Sequence, residues 1–320
     1  MKRFMMVVLC AVIVFTGCGK DEPVVNETVK TEETILNEDD PKEEAVSEEE
    51  NTDIEAETEE KPEEEEVQYK PAEQTEEQKT PPVQPEKTID GVGYNDQKSW
   101  WFMRNTENIP PTAQQEINIA QYDAYYIGDT SEKIIYLTFD EGYEAGYTPK
   151  ILDVLKENDV KSMFFVTGHY LNSQPELVKR MADEGHLVGN HSYDHLDHTA
   201  VSDEEMIADI ENCQQLITET IGYEMPKFFR PPSGVYSIRT LEKAQELGYK
   251  TIFWSFAYKD WDTSAQPTVE EAFDMVVDNY HNGCIMLLHA VSEANTNALD
   301  DMIKFLKNEG YEFRSLMELP

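Results

Sequence analysis

The sequence predicts an α/β fold, a barrel of parallel strands wrapped by helices, and three observations carry that expectation. Strand-like apolar runs alternate with helix-length amphipathic stretches from residue 134 to the end, an order that implies parallel strands joined by right-handed crossovers. Helix-start and helix-stop residues fall between them. Five short polar clusters each stand at the end of an apolar run: Thr138-Phe139-Asp140-Glu141-Gly142, His191-Ser192-Tyr193-Asp194-His195, Arg230-Pro231-Pro232-Ser233-Gly234, Asp260-Trp261 and Leu287-Leu288-His289. Chemistry gathered at strand ends points to one active site at the carboxyl edge of a parallel sheet.

Strand-like runs cover residues 134–139, 162–166, 186–190, 228–230, 251–255, 285–289 and 311–315, and helical stretches cover 149–157, 175–184, 203–221, 238–247, 268–280 and 297–308. Ser202 ahead of Asp203 and Glu205 reads as a capping box, and Thr148 precedes Pro149 at a first helical position. Gly222, Gly248 and Gly310 follow helical patterns, as stop residues do. About 190 residues in seven such units suit a single barrel-type domain.

The amino-terminal third has a different character. Lys2 and Arg3 precede an apolar run over residues 5–15, too short for a spanning helix and typical of a signal segment. The run ends in Phe15-Thr16-Gly17-Cys18, which resembles a bacterial lipobox with Cys18 as the lipidated residue; Phe15 departs from the usual leucine. An ordinary secretory signal is the alternative, and both place the chain outside the cytoplasm. Residues 21–80 hold about 25 acidic residues and about five lysines, a composition that cannot bury enough apolar surface to order the chain. Like charges extend it, so residues 19–93 are expected to be a disordered spacer, with an acidic interaction tail as the other reading. Residues 94–133, with Trp100, Trp101, Tyr122, Tyr125 and Tyr126, read as an irregular preface packed on the barrel, and residues 134–320 as the catalytic domain. A net charge of −39 argues against nucleic acid as a partner. Cys213 in a helical pattern and Cys284 at a strand start are expected as free thiols, with one disulfide between them in an oxidising compartment as the alternative.

Each cluster is ambiguous alone. His191 and His195, four apart, would share one face of a helical turn and a metal, but the spacing is common; His198 continues the face as a decoy or a solvated residue. Asp140 and Glu141 at a strand end can divide metal holding from proton abstraction, or form a solvated acidic turn. His289 ends an apolar run, where a histidine is usually a satisfied edge-of-core residue; the functional reading is a general acid, with Asp260 accepting its other ring proton. Arg230 can pair with Asp140 and keep it ionised. A backbone N–H in Pro232-Ser233-Gly234 can help hold an oxyanion.

In this order, each on a strand end, the clusters resemble the five motifs of the NodB-homology polysaccharide deacetylases, a carbohydrate esterase family with a distorted (β/α) barrel. The wording is closest to the delta-lactam-biosynthetic de-N-acetylases, the peptidoglycan N-acetylmuramic acid deacetylases: Ser99-Trp100, Pro110-Pro111, Tyr126-Ile127-Gly128-Asp129-Thr130, Tyr136 through Glu144, Arg230 through Gly234 and Ser255-Phe256-Ala257-Tyr258 carry it. The resemblance covers residues 94–320. It implies Asp140 as general base, His191 and His195 as ligands of a divalent metal, zinc foremost, and His289 as the acid that protonates the departing amine. It further implies that Arg230 anchors Asp140, that Asp260 tunes His289, and that Trp261 and Leu287 shape the acetyl pocket. Ser233, where a tyrosine is common, joins the substrate pocket. Glu141 stands where the family usually has a metal-binding aspartate, and either ligates through its longer arm or leaves the metal to two histidines and water. Ala257 replaces an acid found in many members. The implied activity is removal of acetyl from N-acetylmuramic acid in peptidoglycan, on the route to muramic delta-lactam as in spore cortex, by an enzyme lipid-anchored to the outer face of the cytoplasmic membrane. A peptidoglycan N-acetylglucosamine deacetylase and a non-catalytic glycan-binding lipoprotein are the rival readings.

Overall fold

The computed structural model describes residues 87–319. The expectations for the signal segment, for Cys18 and for residues 19–86 of the acidic spacer lie outside the described residues. Residues 88–93, assigned to the spacer from composition, instead form a hairpin of β1 (Thr88–Ile89) and β2 (Val92–Gly93). Its two-residue loop has φ of 52° at Asp90 and 83° at Gly91, the left-handed pair that matches strand twist in a tight hairpin. Ile89, Val92 and Tyr94 then pack on a core of Trp100, Ile117, Tyr236 and Phe253, which anchors the hairpin.

The preface is more regular than composition suggested. Strand β3 (Lys98–Ser99) pairs antiparallel with β11 (Val235–Tyr236), and β4 (Phe102–Met103) with β5 (Thr112–Ala113). A 3₁₀ turn, Ile119–Tyr122, leads to β6 (Ala124–Tyr125), which joins the main sheet. That sheet continues with β7 (Ile134–Glu141), β8 (Met163–Val166), β9 (Leu187–Asn190), β10 (Phe228–Phe229), β12 (Lys250–Ile252) and β13 (Cys284–His289). The order is β13-β7-β8-β9-β10-β12-β6, with every pairing parallel. The last expected strand is reduced to β14 (Glu312–Phe313), which pairs with Ile134 and Ile135 at the start of β7. Because Ile135 already meets Cys284 on one edge, β14 occupies the other edge until β8 takes it over at Thr138.

The barrel closes unevenly. Past β12, Phe256 bridges Met286 of β13, and the Leu287 N–H donates to the Phe256 carbonyl at 2.9 Å. At the opposite end of β13, Ile127 bridges Cys284 in the antiparallel sense. The crossovers are α1 (Thr148–Glu157), α2 (Gly168–Ser173), α3 (Pro175–Asp183), α4 (Asp203–Ile221), α5 (Ile238–Glu246), α6 (Val269–Asn279) and α7 (Glu293–Asn308). Helix α2 was not expected; six residues carry too little periodicity to declare themselves. The Ser202–Glu205 capping box is present at α4, and Gly222 ends that helix with φ of 86°. Among the described residues no helix is long and apolar enough to cross a membrane.

Strand β7 is buried along its whole length, and its side chains alternate between two cores. Ile135, Leu137 and Phe139 pack outward with Ile151, Leu155 and Leu299 of the helices. Ile134 and Tyr136 point inward with Met163, Phe165, Phe228 and Ile285. Alternation with period two is the geometry of any strand, and it decides which acid reaches the barrel mouth. Cys213 and Cys284 are buried free thiols.

Candidate active site

Asp140 continues the inward series of β7, and its partner rises from the centre of the barrel. Arg230 follows β10, is fully buried, and lies over the Phe165 ring at 4.2 Å. Its guanidinium donates to Asp140 Oδ1 at 2.6 Å, to Thr138 Oγ1 at 3.0 Å and to the Ile252 carbonyl at 3.1 Å. A charge removed from water this far needs such company. Burial alone would raise the Asp140 pKa, but the charges of Arg230, His191 and His289 outweigh it and hold the carboxyl below its usual range.

His191 accepts a defined tautomer from its surroundings. Its Nδ1 lies 2.8 Å from the Arg230 carbonyl, which can only accept, so Nδ1 carries the proton and Nε2 is bare. Nε2 stands 3.5 Å from Asp140 Oδ2. Burial pulls the imidazole pKa down to about 4, so the ring is neutral near pH 7. His195, also lowered by burial, meets His191 edge-on with ring centroids 4.9 Å apart.

The expected helical turn under these two histidines is absent. They lie on a loop after β9 in which Ser192 and His195 have φ of 66° and 56°. Polar contacts from α4 replace helical hydrogen bonds: Asp209 Oδ1 accepts the Asp194 N–H at 2.7 Å and the Asp209 carbonyl accepts that of Tyr193 at 3.1 Å. Asn190 Oδ1 accepts the Ser192 N–H at 2.8 Å. His198, neither ligand nor solvated, is buried with Nε2 at 2.7 Å from Asp209 Oδ2. It braces the loop.

Glu141, for which a place as third ligand and a metal left to two histidines and water were both open, does not line the cavity that His191 and His195 share. Being odd-numbered on β7, it points out of the barrel into the helical layer. There it is buried, neither carboxylate oxygen has a hydrogen-bond partner, and burial followed by the charges of Glu144 and Asp140 pushes its pKa well above the usual carboxylate value. Strand alternation, not side-chain length, decides the matter.

His289 and Asp260 pair as expected. The ring Nδ1 is 2.7 Å from Asp260 Oδ1, and the His289 N–H donates to Oδ2 at 2.8 Å. Asn295, on α7, donates to the same Oδ2 at 2.6 Å, and its carboxamide oxygen accepts from the Tyr258 hydroxyl. Burial works against a charged imidazole here, but the Asp260 hydrogen bond and the charges of Asp260 and Asp140 prevail and raise the His289 pKa. Asn295 was missed because a lone amide in a helical pattern carries no signal of its own.

Asp140, His191, His195 and His289 line one cavity of about 680 Å³ with Ser233, Trp261, Leu287 and Tyr258, and with Phe102, Arg104 and Trp254, which were not singled out. Trp261 is half exposed, 5.6 Å from the His289 ring between centroids. Of the three residues offered as oxyanion donors, Pro232 has no N–H and that of Gly234 donates to the Pro231 carbonyl at 3.0 Å, which leaves Ser233. A second hollow of about 620 Å³ shares Gly142, Tyr143 and His195 with the first and runs on past Tyr193 and Asn172.

The donor set can be tested against a divalent metal. Two neutral imidazoles, one with its bare Nε2 beside a carboxylate oxygen, suit a borderline cation such as zinc, and the Arg230 carbonyl orients His191 as outer partners of metal ligands do. Among the described residues no group of three His, Cys, Asp or Glu side chains is gathered tightly enough to cage an ion. The pair fits, therefore, with the remaining positions left to water and substrate.

Comparison with known proteins agrees with this geometry. The family model described as polysaccharide deacetylase matches residues 127–252. Peptidoglycan-N-acetylmuramic acid deacetylase PdaA of Bacillus subtilis (strain 168) is 45% identical over 227 residues, 70% of this chain and 86% of that protein. The solved structure of Bacillus subtilis PdaA, described as a family 4 carbohydrate esterase, aligns with a TM-score of 0.69 over 70% of this chain and 97% of that one. A peptidoglycan-N-acetylglucosamine deacetylase of Bacillus cereus is 36% identical over 194 residues, 59% of this chain and 89% of that protein.

Proposed function

The chain belongs to the polysaccharide deacetylase family, and from that premise we propose that it removes the acetyl group from N-acetylmuramic acid in peptidoglycan. The higher identity to the muramic acid deacetylase, 45% against 36% for the glucosamine enzyme, favours this substrate over its neighbour in the glycan. The observation that carries the chemistry is a pair of oppositely tuned groups on one cavity: Asp140, whose pKa is lowered beside Arg230, and His289, whose pKa is raised by Asp260.

Asp140 takes a proton from water as the water oxygen bonds to the acetamide carbonyl carbon. The resulting oxyanion faces the Ser233 N–H. His289, whose Nδ1–H is tied to Asp260, gives its Nε2 proton to the nitrogen as the C–N bond breaks. Acetate and a free amine result. Leu287 and Trp261 enclose the methyl group. Polysaccharide deacetylases of this family are in general metal-dependent; a divalent metal, zinc by our assignment, held by His191 and His195, would supply Lewis-acid polarisation of water and carbonyl. The second hollow beyond Tyr143 extends the cavity in the way a polymer needs.

We further propose that the product amine proceeds to muramic delta-lactam by closing on the carbon of the lactyl carboxyl, whose hydroxyl leaves with an amine proton as water, and that Cys18 is lipidated, tethering the enzyme to the outer face of the membrane. The composition of residues 21–80 supports a spacer between anchor and wall. Incubating peptide-free glycan strands with the full-length protein, then identifying by mass spectrometry which sugar carries the free amine, tests the substrate. Free amine on glucosamine alone would refute the muramic reading.

A further inference from the structure

Arg104 lies outside every motif discussed so far, in the segment between β4 and β5. It stands on the wall of the active-site cavity, and no carboxylate among the described residues pairs with it, in a chain with 65 acidic residues against 26 lysines and arginines. The other cations of this region are taken. Arg230 holds Asp140, and Lys259 pairs with Asp262 at 2.6 Å. Arg104 is held by one terminal nitrogen, which donates to the Ala257 carbonyl, and its guanidinium lies 6.0 Å from the Phe102 ring centroid. The remaining donors of its fork have no partner among the described residues.

The anchor point sets where that fork stands. Ala257 follows Phe256, whose carbonyl accepts the Leu287 N–H, and Leu287 is two residues from His289 on the same inward face of β13. An unpaired guanidinium is thus fastened one residue from the strand that forms the acetyl pocket. A muramic residue carries its lactyl ether on the ring carbon next to the one bearing the acetamide. An acetamide seated at Leu287 and His289 brings the lactyl group to the adjacent wall.

We propose that Arg104 is a specificity residue that binds the ionised lactyl carboxylate of the substrate, through the fork-to-carboxylate geometry that guanidinium favours. This deepens the muramic reading and rests on it.

The test compares full-length wild type, R104Q and R104K on peptide-free glycan strands and on the same strands with the lactyl carboxyl converted to a methyl amide. We expect R104Q to lose about 10- to 100-fold in kcat/KM on the carboxylate strands, mainly through KM, as when one partner of a charge pair is removed. On the amide strands R104Q and wild type should be equal. R104K, which keeps the charge but not the fork, should fall between, and it decides the matter should R104Q fail to fold: a loss confined to the carboxylate strands supports the proposal. Equal losses on both strands would assign Arg104 a structural role through Ala257 and overturn it, as would no loss on either. Wild type that deacetylates muramic residues while the variants behave as wild type refutes the Arg104 assignment alone. Wild type that attacks only glucosamine residues refutes both.

Discussion

Asp140 and His289 occupy equivalent places on neighbouring strands, paired across the ladder of β7 and β13, yet their pKa values shift in opposite directions because each has a different buried partner. Replacing Asp140 with Asn should lower kcat by about 10²- to 10⁴-fold, and replacing His289 with Ala by a similar factor. Acetate release from glycan strands measures both, and activity retained in either variant would refute the assigned roles. The pH profile follows from the same contacts. On the proposed roles activity requires Asp140 ionised, which its lowered pKa favours on the acid side, and His289 protonated, which its raised pKa favours on the alkaline side. We therefore expect a bell in kcat/KM broadened on both sides, and Asp260→Asn to draw the alkaline limb downward. An alkaline limb unmoved by that change would remove Asp260 from the tuning of His289.

At the scale of the element, β7 and the loop after β9 show what was and was not legible in the sequence. The apolar runs and their terminal clusters were enough to place Asp140, Arg230, Asp260 and His289 at one mouth. Period-two alternation was also readable there, and it sends Glu141 to the face opposite Asp140; the resemblance to a family with an aspartate at this place pulled the expectation the other way. The helical turn expected for His191 and His195 failed for a different reason. The positive φ values at Ser192 and His195 are sustained by Asp209, seventeen positions beyond Ser192 and on another element, and no local pattern announces such support. Glu141 makes a testable point of its own. Because its folded pKa is raised, its contribution to stability is fully present below the ordinary value of 4.5 and is lost as pH rises toward the folded value, at about 1.4 kcal/mol per pH unit within that window. Glu141→Gln should flatten the dependence of the unfolding midpoint on pH above 4.5 and leave metal content unchanged. A loss of bound metal in this variant would restore Glu141 as a ligand.

For the molecule as a whole, the alternation of strands and helices made the barrel legible, but its boundaries were not. Composition assigned residues 88–93 to the spacer, whereas they form a hairpin around the Asp90-Gly91 turn that a charge count hides. Arg104 was passed over for the same reason, since the preface looked irregular and its role depends on contacts made over 150 residues away. Removal of metal belongs to this scale too. Prolonged dialysis against a strong chelator should abolish acetate release, while the unfolding midpoint falls only a few degrees, because the barrel is held by its apolar cores and by Arg230 rather than by the two histidines. Collapse of the fold on chelation would make the metal structural.

The position of Arg230 has one more consequence. The same side chain fills the middle of the barrel and favours the ionised form of Asp140, so heat tolerance and acid tolerance cannot drift independently. Selection for either trait alone should leave this position untouched and accumulate changes around the exposed rim, at places such as Tyr143 and Trp261, where a substitution alters how long a sugar chain dwells without disturbing the plug beneath.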